Sequence, residues 1–544
     1  MERKEFADLL LPDVEHDWTY YEAKYPARKL ESGAMVTRFA PSPTGFVHMG
    51  SLYASFAALQ LAKETKGICY LRIEDTDQKR TVDNGVQGII DDFKNLNIKF
   101  DEGMGFGGNY GPYLQSARKD IYQAYAKKLI EEDLAYPCFT TPEELNEIRE
   151  YQRQKKLRIG MYKKYAKDRN LSMDEAINRI KDGKKYIICL KSPGNFDNKV
   201  ILHDAIKGDI EMPENDIDEV IIKSDGLPTY HFAHAIDDHL MHTTHVTRGD
   251  EWVSSYPIHH QLFEVLGFKE PIYAHIAPLT IKEGDIVRKI SKRKDKEAAI
   301  SYYHKMGIPV EAIRLYLATI ENFDFEEWYT NNPTKSIDDF KFEFNKMPIG
   351  GTFFDIEKLM SISRIYFSRL KNTTLYDMLL KYTKEYDTEF YQIINEKKDY
   401  TLNILNIERD IERPRKDIAS LEDVKKEFWY MYPELFDNNN DEYFPIKACN
   451  KEIIINYLNN IYNDQDTPEE WFNKVKDYAC QNGYTADKKA YKANPDAFNG
   501  MVADFCALLR IIICKKNMSP NIYYLIKYLG KDEVIKRTKK YYTK

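Results

Sequence analysis

At 544 residues the chain exceeds what one hydrophobic core usually holds, so about three to five packed modules are expected. A formal net charge of -7 excludes a globally basic nucleic-acid binder, although local basic stretches such as Arg149 to Arg169, Lys282 to Lys296 and Lys527 to Lys544 suffice for phosphate contacts. The seven cysteines are scattered without CxxC or Cys/His spacing, which argues against a structural zinc and for reduced thiols; no apolar run is long enough for a membrane, and the cytoplasm is the expected compartment.

In chain order, residues 1–34 read as a polar, partly helical extension that ends at the Ser32-Gly33 turn signal. Met35 to Phe39 is a short strand, and the prolines of Ala40-Pro41-Ser42-Pro43-Thr44-Gly45 forbid a helix there. From His48 the pattern turns helical, with Met49, Leu52, Phe56 and Leu59 on one face and Gly67 as terminator. Ile68 to Ile73 then reads as a second strand, parallel to the first. Residues 104–111 are glycine-rich, but without a following Lys-Ser/Thr they form a turn rather than a phosphate loop. Residues 120–190 are helix-rich and basic and interrupt the α/β pattern. Alternation resumes around Lys199 to Ile222, followed by a helical run from Ser255 to Leu266. Beyond about residue 345 long helical periodicity dominates, as in Asp355 to Leu370 and Phe498 to Ile513. The expected architecture is a Rossmann-like α/β domain with a parallel sheet and an inserted module, followed by an all-helical C-terminal half. Its boundaries are an extension at 1–34, two α/β halves at 35–119 and 200–280, the insertion at 120–199, a basic loop region at 281–345 and the helical region at 346–544.

Three constellations carry chemistry. In the first, a strand, a proline-stiffened turn and a helix N-terminus at Val47 to Gly50 aim N–H groups and positive dipole at a ligand above the strand end. Gly45 and Gly50 permit close approach of a phosphate or base, and His48 adds a donor; a bare H-x-G equally suits a helix cap with a surface histidine. The second lies 240 residues after His48, where Arg288-Lys289-Ile290-Ser291-Lys292-Arg293 follows Gly284 and suits a basic loop that clamps a polyphosphate, or merely a solvated one. The third, Ser224 to His234 with Asp237-Asp238-His239 and Arg248-Gly249-Asp250-Glu251-Trp252, gathers histidines and carboxylates that invite a metal, yet no HExxH spacing is present.

Read as whole strings, these residues resemble bacterial-type glutamyl-tRNA synthetases of class I. Arg38-Phe39-Ala40-Pro41-Ser42-Pro43-Thr44-Gly45-x-x-His48-x-Gly50 resembles that family's HIGH region, with Ser51 in place of the last histidine. Leu71 to Asp77 (LRIEDTD) resembles its second block, and Lys289 to Arg293 (KISKR) its KMSKS loop. Gly111-Pro112-x-x-Gln115-Ser116-x-Arg118 and Asp204-x-x-x-Gly208 extend the match, and Asp504-Phe505, Leu509-Arg510, Pro520 and Leu529-Gly530 resemble the family's C-terminal end. The resemblance implies that the 120–199 insertion binds the acceptor stem and the 346–544 region the anticodon, by stacking splayed bases.

It also implies roles by position. His48, Lys289 and Lys292 are expected to be catalytic. Arg38, Ala40, Ser42, Glu74, Tyr230, His234 and Arg248 are expected to line a glutamate site, with two arginines for two carboxylates and Glu74 for the ammonium; which arginine takes which carboxylate stays open. His234 stands where many relatives are expected to have Asn; a histidine there still donates to a carboxylate, with a charge that depends on pH. Gly45, His48, Gly50, Glu251, Trp252, Ile290, Ser291 and Lys292 are expected to hold ATP, which arrives with Mg2+; no protein metal site is expected. The implied partners are ATP, L-glutamate and tRNA-Glu, with tRNA-Gln a further option, and the implied state is a monomer. Rival readings are a glutaminyl enzyme, disfavoured by PSPTG, RIEDTD and Arg248; a short tRNA-modifying paralogue, disfavoured by the 199 residues beyond 345; and a catalytically dead relative, disfavoured by His48 and Lys292.

Overall fold

The computed structural model describes residues 2–291, 294–447 and 449–543. The chain forms two compact units, one built from Met1–Ile300 with Arg314–Asp355, the other from Ser301–Ile313 with Ile356–Lys544.

The first unit opens with helices α1 (Arg3–Leu10) and α2 (Trp18–Lys24). The expected extension is not a loose tail: Phe6, Ala7, Leu10 and Tyr21 are buried in one core with Ile121, Tyr122, Tyr125 and Leu129. Strand β1 (Val36–Phe39) leads through the proline turn to helix α3 (Met49–Glu64) and strand β2 (Ile68–Leu71), which pairs parallel with β1 from Val36↔Ile68 to Phe39↔Leu71. This is the βαβ unit read from the sequence. One detail differs: the left-handed residue that ends α3 is Lys66 (φ 53) rather than Gly67. Gly67 is required for another reason, since a Cβ there would stand 1.9 Å from the Met35 carbonyl oxygen.

Helix α4 (Gly85–Asn95) and strand β3 (Glu102–Gly103) complete a parallel three-stranded sheet of order β1-β2-β3. The insertion follows as helix α5 (Lys119–Glu131), strand β4 (Ala135–Cys138), helices α6 (Pro142–Gln154) and α7 (Met173–Lys181) and strand β5 (Ile187–Leu190). Hairpin β6 (Lys199–Asp204) and β7 (Gly208–Pro213) precedes strand β8 (Val220–Ile222). The sheet of the insertion has the order β4-β5-β8, so it takes its third strand from beyond residue 199. Helix α8 (Tyr230–Leu240), strand β9 (His245–Gly249), helix α9 (Tyr256–Leu266) and strand β10 (Ile272–Ile276) rebuild the parallel pattern in a sheet of order β7-β6-β10-β9. The edges of the first, parallel sheet and of this second, mixed sheet meet at Thr244, whose amide donates to the Val36 carbonyl at 2.9 Å while its hydroxyl accepts from the Val36 amide at 2.8 Å. The C-terminal ends of β1, β2 and β9 therefore face one crevice, the place where open α/β sheets take ligands. Strands β11 (Leu279–Glu283), β12 (Ile286–Lys289) and β13 (Thr352–Phe353) form a small separate sheet that carries the basic loop.

The second unit is helical, as the periodicity of Asp355 to Leu370 implied; helix Ile356–Arg369 realises it. The expected helix from Phe498 instead begins at Val502. Pro495 opens a tight turn, and Gly500–Met501 pairs in parallel with Tyr484–Thr485, a two-residue β-ladder among the helices.

Candidate active site

The proline turn reverses tightly because Gly45 adopts φ +146, a region that side chains avoid. Its Pro41 carbonyl accepts from the Glu74 amide at 3.0 Å, which docks the RIEDTD segment onto it. His48 caps α3, its Nδ1 accepting from the Ser51 amide at 3.2 Å, so the ring proton sits on Nε2. The expectation of an open row of N–H donors at Val47 to Gly50 needs correction, since the Val47 amide donates to the Asp92 carboxylate at 2.9 Å. Gly50 is kept bare by the His48 ring: a Cβ there would lie 2.8 Å from its Cε1 and 4.0 Å from Ile290 Cγ2.

That proximity of Gly50 and Ile290 brings the two signatures together. His48 also forms an isolated backbone bridge with Ala299, just past the KISKR loop. Within the loop, Arg288 grips Asp295 through two hydrogen bonds of 2.8 and 2.7 Å, and Asp295 also accepts from the Ser291 amide at 2.7 Å. Ile290 is buried, and its amide donates to the Leu279 carbonyl at 3.0 Å. Lys289 Nζ stands 2.8 Å from Glu251 Oε1, which ties the loop to the segment after β9. Lys292, expected to be catalytic, lies outside the described residues, as does Arg293.

Beneath the crevice is a buried charge network. Asp238 is fully buried, pairs with Arg72 at 2.6 Å and Arg38 at 3.4 Å, and lies 2.9 Å from His234 Nδ1. Asp237 accepts from Arg118 at 2.6 Å, Tyr122 at 2.8 Å and Gln115 at 2.9 Å, which explains the Gly111 to Arg118 block. The carboxylates that invited a metal are thus occupied by arginines, and His239 turns away to Glu22 and stacks on Phe268. Arg72 also reaches Glu74 at 3.2 Å. Burial pushes the Glu74 carboxyl above its ordinary range, against the pull of Arg72 and Arg38.

Tyr230 packs on Trp252 with ring centres 4.3 Å apart and stacks parallel to His234 at 5.8 Å. Burial holds His234 down at about 3, so it is neutral at physiological pH; the pH-dependent charge considered for it is corrected accordingly. Its Nε2 meets the Tyr273 hydroxyl at 2.9 Å. Arg248 lies over the Tyr273 ring at 4.4 Å and donates to two imidazoles, Nε to His275 Nε2 at 2.9 Å and Nη1 to His259 Nδ1 at 2.8 Å. Its third nitrogen, Nη2, is buried with no partner among the described residues. Ala40 and Ser42 sit on the proline turn, Ala40 partly covered and Ser42 exposed. Asp238, Arg72, Tyr273, His259 and His275 went unassigned in the sequence reading; histidines recurring 11 and 27 residues after Arg248 follow no motif, and only a parity of strand and helix faces could have flagged them.

Comparison with known proteins agrees with this geometry. The family model of class I tRNA synthetases (E and Q), catalytic domain, matches residues 34–343. A glutamate–tRNA ligase of Clostridium beijerinckii is 44% identical over 99% of this chain and all of its own length, and one of Acetivibrio thermocellus is 42% identical over 99% of both. Among solved structures, a glutamate–tRNA synthetase of Elizabethkingia anophelis superposes with a TM-score of 0.72 at 25% identity, covering 94% of this chain and 100% of its own. A glutamate tRNA ligase of Elizabethkingia meningosepticum in complex with its amino acid gives a TM-score of 0.73 at 25% identity, over 93% and 99%. With a family model over residues 34–343 and relatives matched along the length of the chain, the chain belongs to the glutamyl-tRNA synthetases of class I.

Proposed function

We infer that the chain activates L-glutamate with ATP, releasing pyrophosphate, and transfers the glutamyl group from the adenylate to the terminal adenosine of tRNA-Glu. The observation that supports it most directly is the meeting of the proline turn and helix start at His48 with the basic KISKR loop about 240 residues later, where Gly50 faces Ile290 and His48 bridges Ala299. A triphosphate bound at that junction is reached by His48 Nε2–H and by the KISKR lysines, Lys289 and Lys292. Magnesium enters with the triphosphate as part of the substrate and neutralises charge on its oxygens. Gly45, Glu251, Trp252 and Ser291 complete the nucleotide site in this reading.

Glutamate lies between Glu74, which takes the ammonium, and the guanidinium groups of Arg38 and Arg248, with Tyr230, His234, Ala40 and Ser42 lining the space. Arg38 already shares Asp238 with Arg72, whereas Arg248 Nη2 is unsatisfied, so Arg248 is assigned a carboxylate of the substrate. An arriving ammonium favours the ionised form of Glu74, which burial opposes. The carboxylate attacks the α-phosphate in line; positioning and charge stabilisation do the work, without a covalent enzyme intermediate. The enzyme acts as a cytoplasmic monomer that needs bound tRNA for the first step. Among the described residues no helix is long and apolar enough to cross a membrane.

Charging of purified tRNA-Glu with labelled glutamate and glutamine tests the reading. Glutamate is expected to win by on the order of a hundred-fold or more, because glutamine leaves a buried arginine unpaired at roughly 3–5 kcal/mol. Equal charging of both amino acids overturns it. Pyrophosphate exchange without tRNA is expected to be negligible, and tRNA-Gln in the same assay reports whether that tRNA is also a substrate.

A further inference from the structure

Buried arginines in this unit are otherwise matched by carboxylates: Arg38 and Arg72 by Asp238, Arg118 by Asp237. Arg248 is buried as deeply, yet the two groups that hold it are imidazoles. Arginine can only donate, so each imidazole must present a lone pair to it. The rest of the network fixes which nitrogen does so. Asp204 accepts hydrogen bonds from the protonated Nδ1 of His275 at 2.6 Å and from the His275 amide at 3.0 Å, leaving Nε2 as acceptor for Arg248. His259 accepts from Arg248 through Nδ1, so its Nε2 carries the proton and donates to His231 Nδ1 at 2.8 Å. One chain of fixed tautomers therefore runs from Asp204 through His275, Arg248 and His259 to His231. Burial, and the positive charge of Arg248, push the pKa values of His259 and His275 below the ordinary histidine value, which agrees with two neutral acceptors.

The consequence is electrostatic. A carboxylate holder would orient the guanidinium but cancel its charge, and a buried ion pair offers little to a second anion. A neutral imidazole orients it and leaves the charge to be met by the substrate. We propose that His259 and His275 are the positioning residues that make the amino-acid site selective for a carboxylate side chain, by locking Arg248 with its charge uncancelled and Nη2 turned to the ligand. This rests on the assignment of Arg248 to a substrate carboxylate and takes that carboxylate to be the side-chain one.

Amide substitutions separate this role from mere packing, because the Asn side-chain oxygen stands near the place of Nδ1 and the Gln oxygen near that of Nε2. At His259 the Arg248-facing atom is Nδ1, and at His275 it is Nε2. A crossed pattern is thus expected. His259→Asn and His275→Gln keep the KM for glutamate within about three-fold of the unsubstituted enzyme. His259→Gln and His275→Asn raise it about ten- to hundred-fold, the cost of a charged hydrogen bond. The KM for ATP stays within about two-fold in all four, and the ratio of glutamate to glutamine charging falls only in the second pair. Melting temperatures identify any variant that fails to fold, and the remaining pair of amides at the other histidine still decides the question. Equal behaviour of the two amides at both positions, or parallel rises in both KM values, overturns the proposal. Arg248→Gln serves as the separate control. If it leaves the KM for glutamate unchanged, the assignment of Arg248 itself has failed; if that KM rises without the crossed pattern, only the role of the histidines has.

Discussion

Residue types in this unit are chosen against the cost of burying charge. Arg72, Arg118, Asp237 and Asp238 are all fully buried, and each is met by an opposite charge, so the scaffold beneath the crevice is held by compensated pairs. The active residues of the reading were legible one by one, since Arg38, Glu74 and Arg248 sit in dense strings at strand ends. Their holders were not: Asp238 was visible only as part of an acidic run, and the imidazoles that grip Arg248 come from α9 and β10, whose residues the sequence marks as core. One buried acid stands outside these pairs. Glu321 is fully buried, and neither carboxyl oxygen has a partner among the described residues. Burial alone raises its pKa well above 4.5, which favours the protonated form in the folded protein. The sign follows from linkage: below the unfolded value both states hold the proton, and above it only the unfolded chain releases one. The stability contributed by Glu321 is therefore present at low pH and is lost as pH climbs from about 4.5 toward the folded pKa, by about 1.4 kcal/mol per pH unit. Glu321→Gln should gain on the unsubstituted protein between pH 5 and pH 8 in thermal melts, whatever its offset at pH 5; parallel curves would show that Glu321 is ionised in the folded protein.

At the level of elements, the βαβ unit was legible because its signals act locally: prolines that bar a helix, a histidine cap and an apolar helix, although α3 is buried on more than the one expected face and Leu59 of that face is only partly covered. What the sequence hides is what an element touches. The basic run from Arg149 to Arg169 reads as free surface for RNA, yet Arg158 pairs with Asp216 and Arg169 with Asp218. Pairing across the chain also gave the insertion a strand from β8 that no local pattern announces. Two glycines show the same limit, for both look like ordinary helix-associated glycines in sequence. Gly67 abuts the Met35 carbonyl, while Gly88 on α4 has nothing within 4 Å of where a Cβ would stand. Gly67→Ala should cost about 1–3 kcal/mol or more as β1 and β2 shift apart. Gly88→Ala should stabilise by roughly 0.5–1 kcal/mol, the intrinsic helix preference. Denaturant melts of the two variants give opposite signs if this account is right; a neutral Gly67→Ala would mean that the close approach of the Met35 carbonyl is relieved at no cost.

For the whole molecule, the α/β half and the helical half were both readable, because length, periodicity and the spacing of two signatures act over hundreds of residues. The charge total was not informative: a formal net charge of -7 conceals the local cations that a tRNA ligase needs. Those cations do not all work alike. Lys289 already pairs with Glu251, and both side chains are about half exposed, at 57% and 51%. Such a pair is worth little and is readily exchanged for a phosphate. Lys292 stands in the KISKR string at the position that the family resemblance makes catalytic, two residues after the buried Ile290. A charge that meets the α-phosphate only as negative charge builds up there lowers the barrier without tightening ground-state binding. Lys292→Ala should therefore reduce the rate of adenylate formation about 100- to 1000-fold, with the KM for glutamate and the affinity for tRNA within about three-fold of the unsubstituted enzyme. Lys289→Ala should show a smaller loss of rate. Single-turnover adenylation together with filter binding of tRNA distinguishes the cases: if rate and tRNA affinity collapse together in Lys292→Ala, the lysine holds RNA or the fold rather than the transition state.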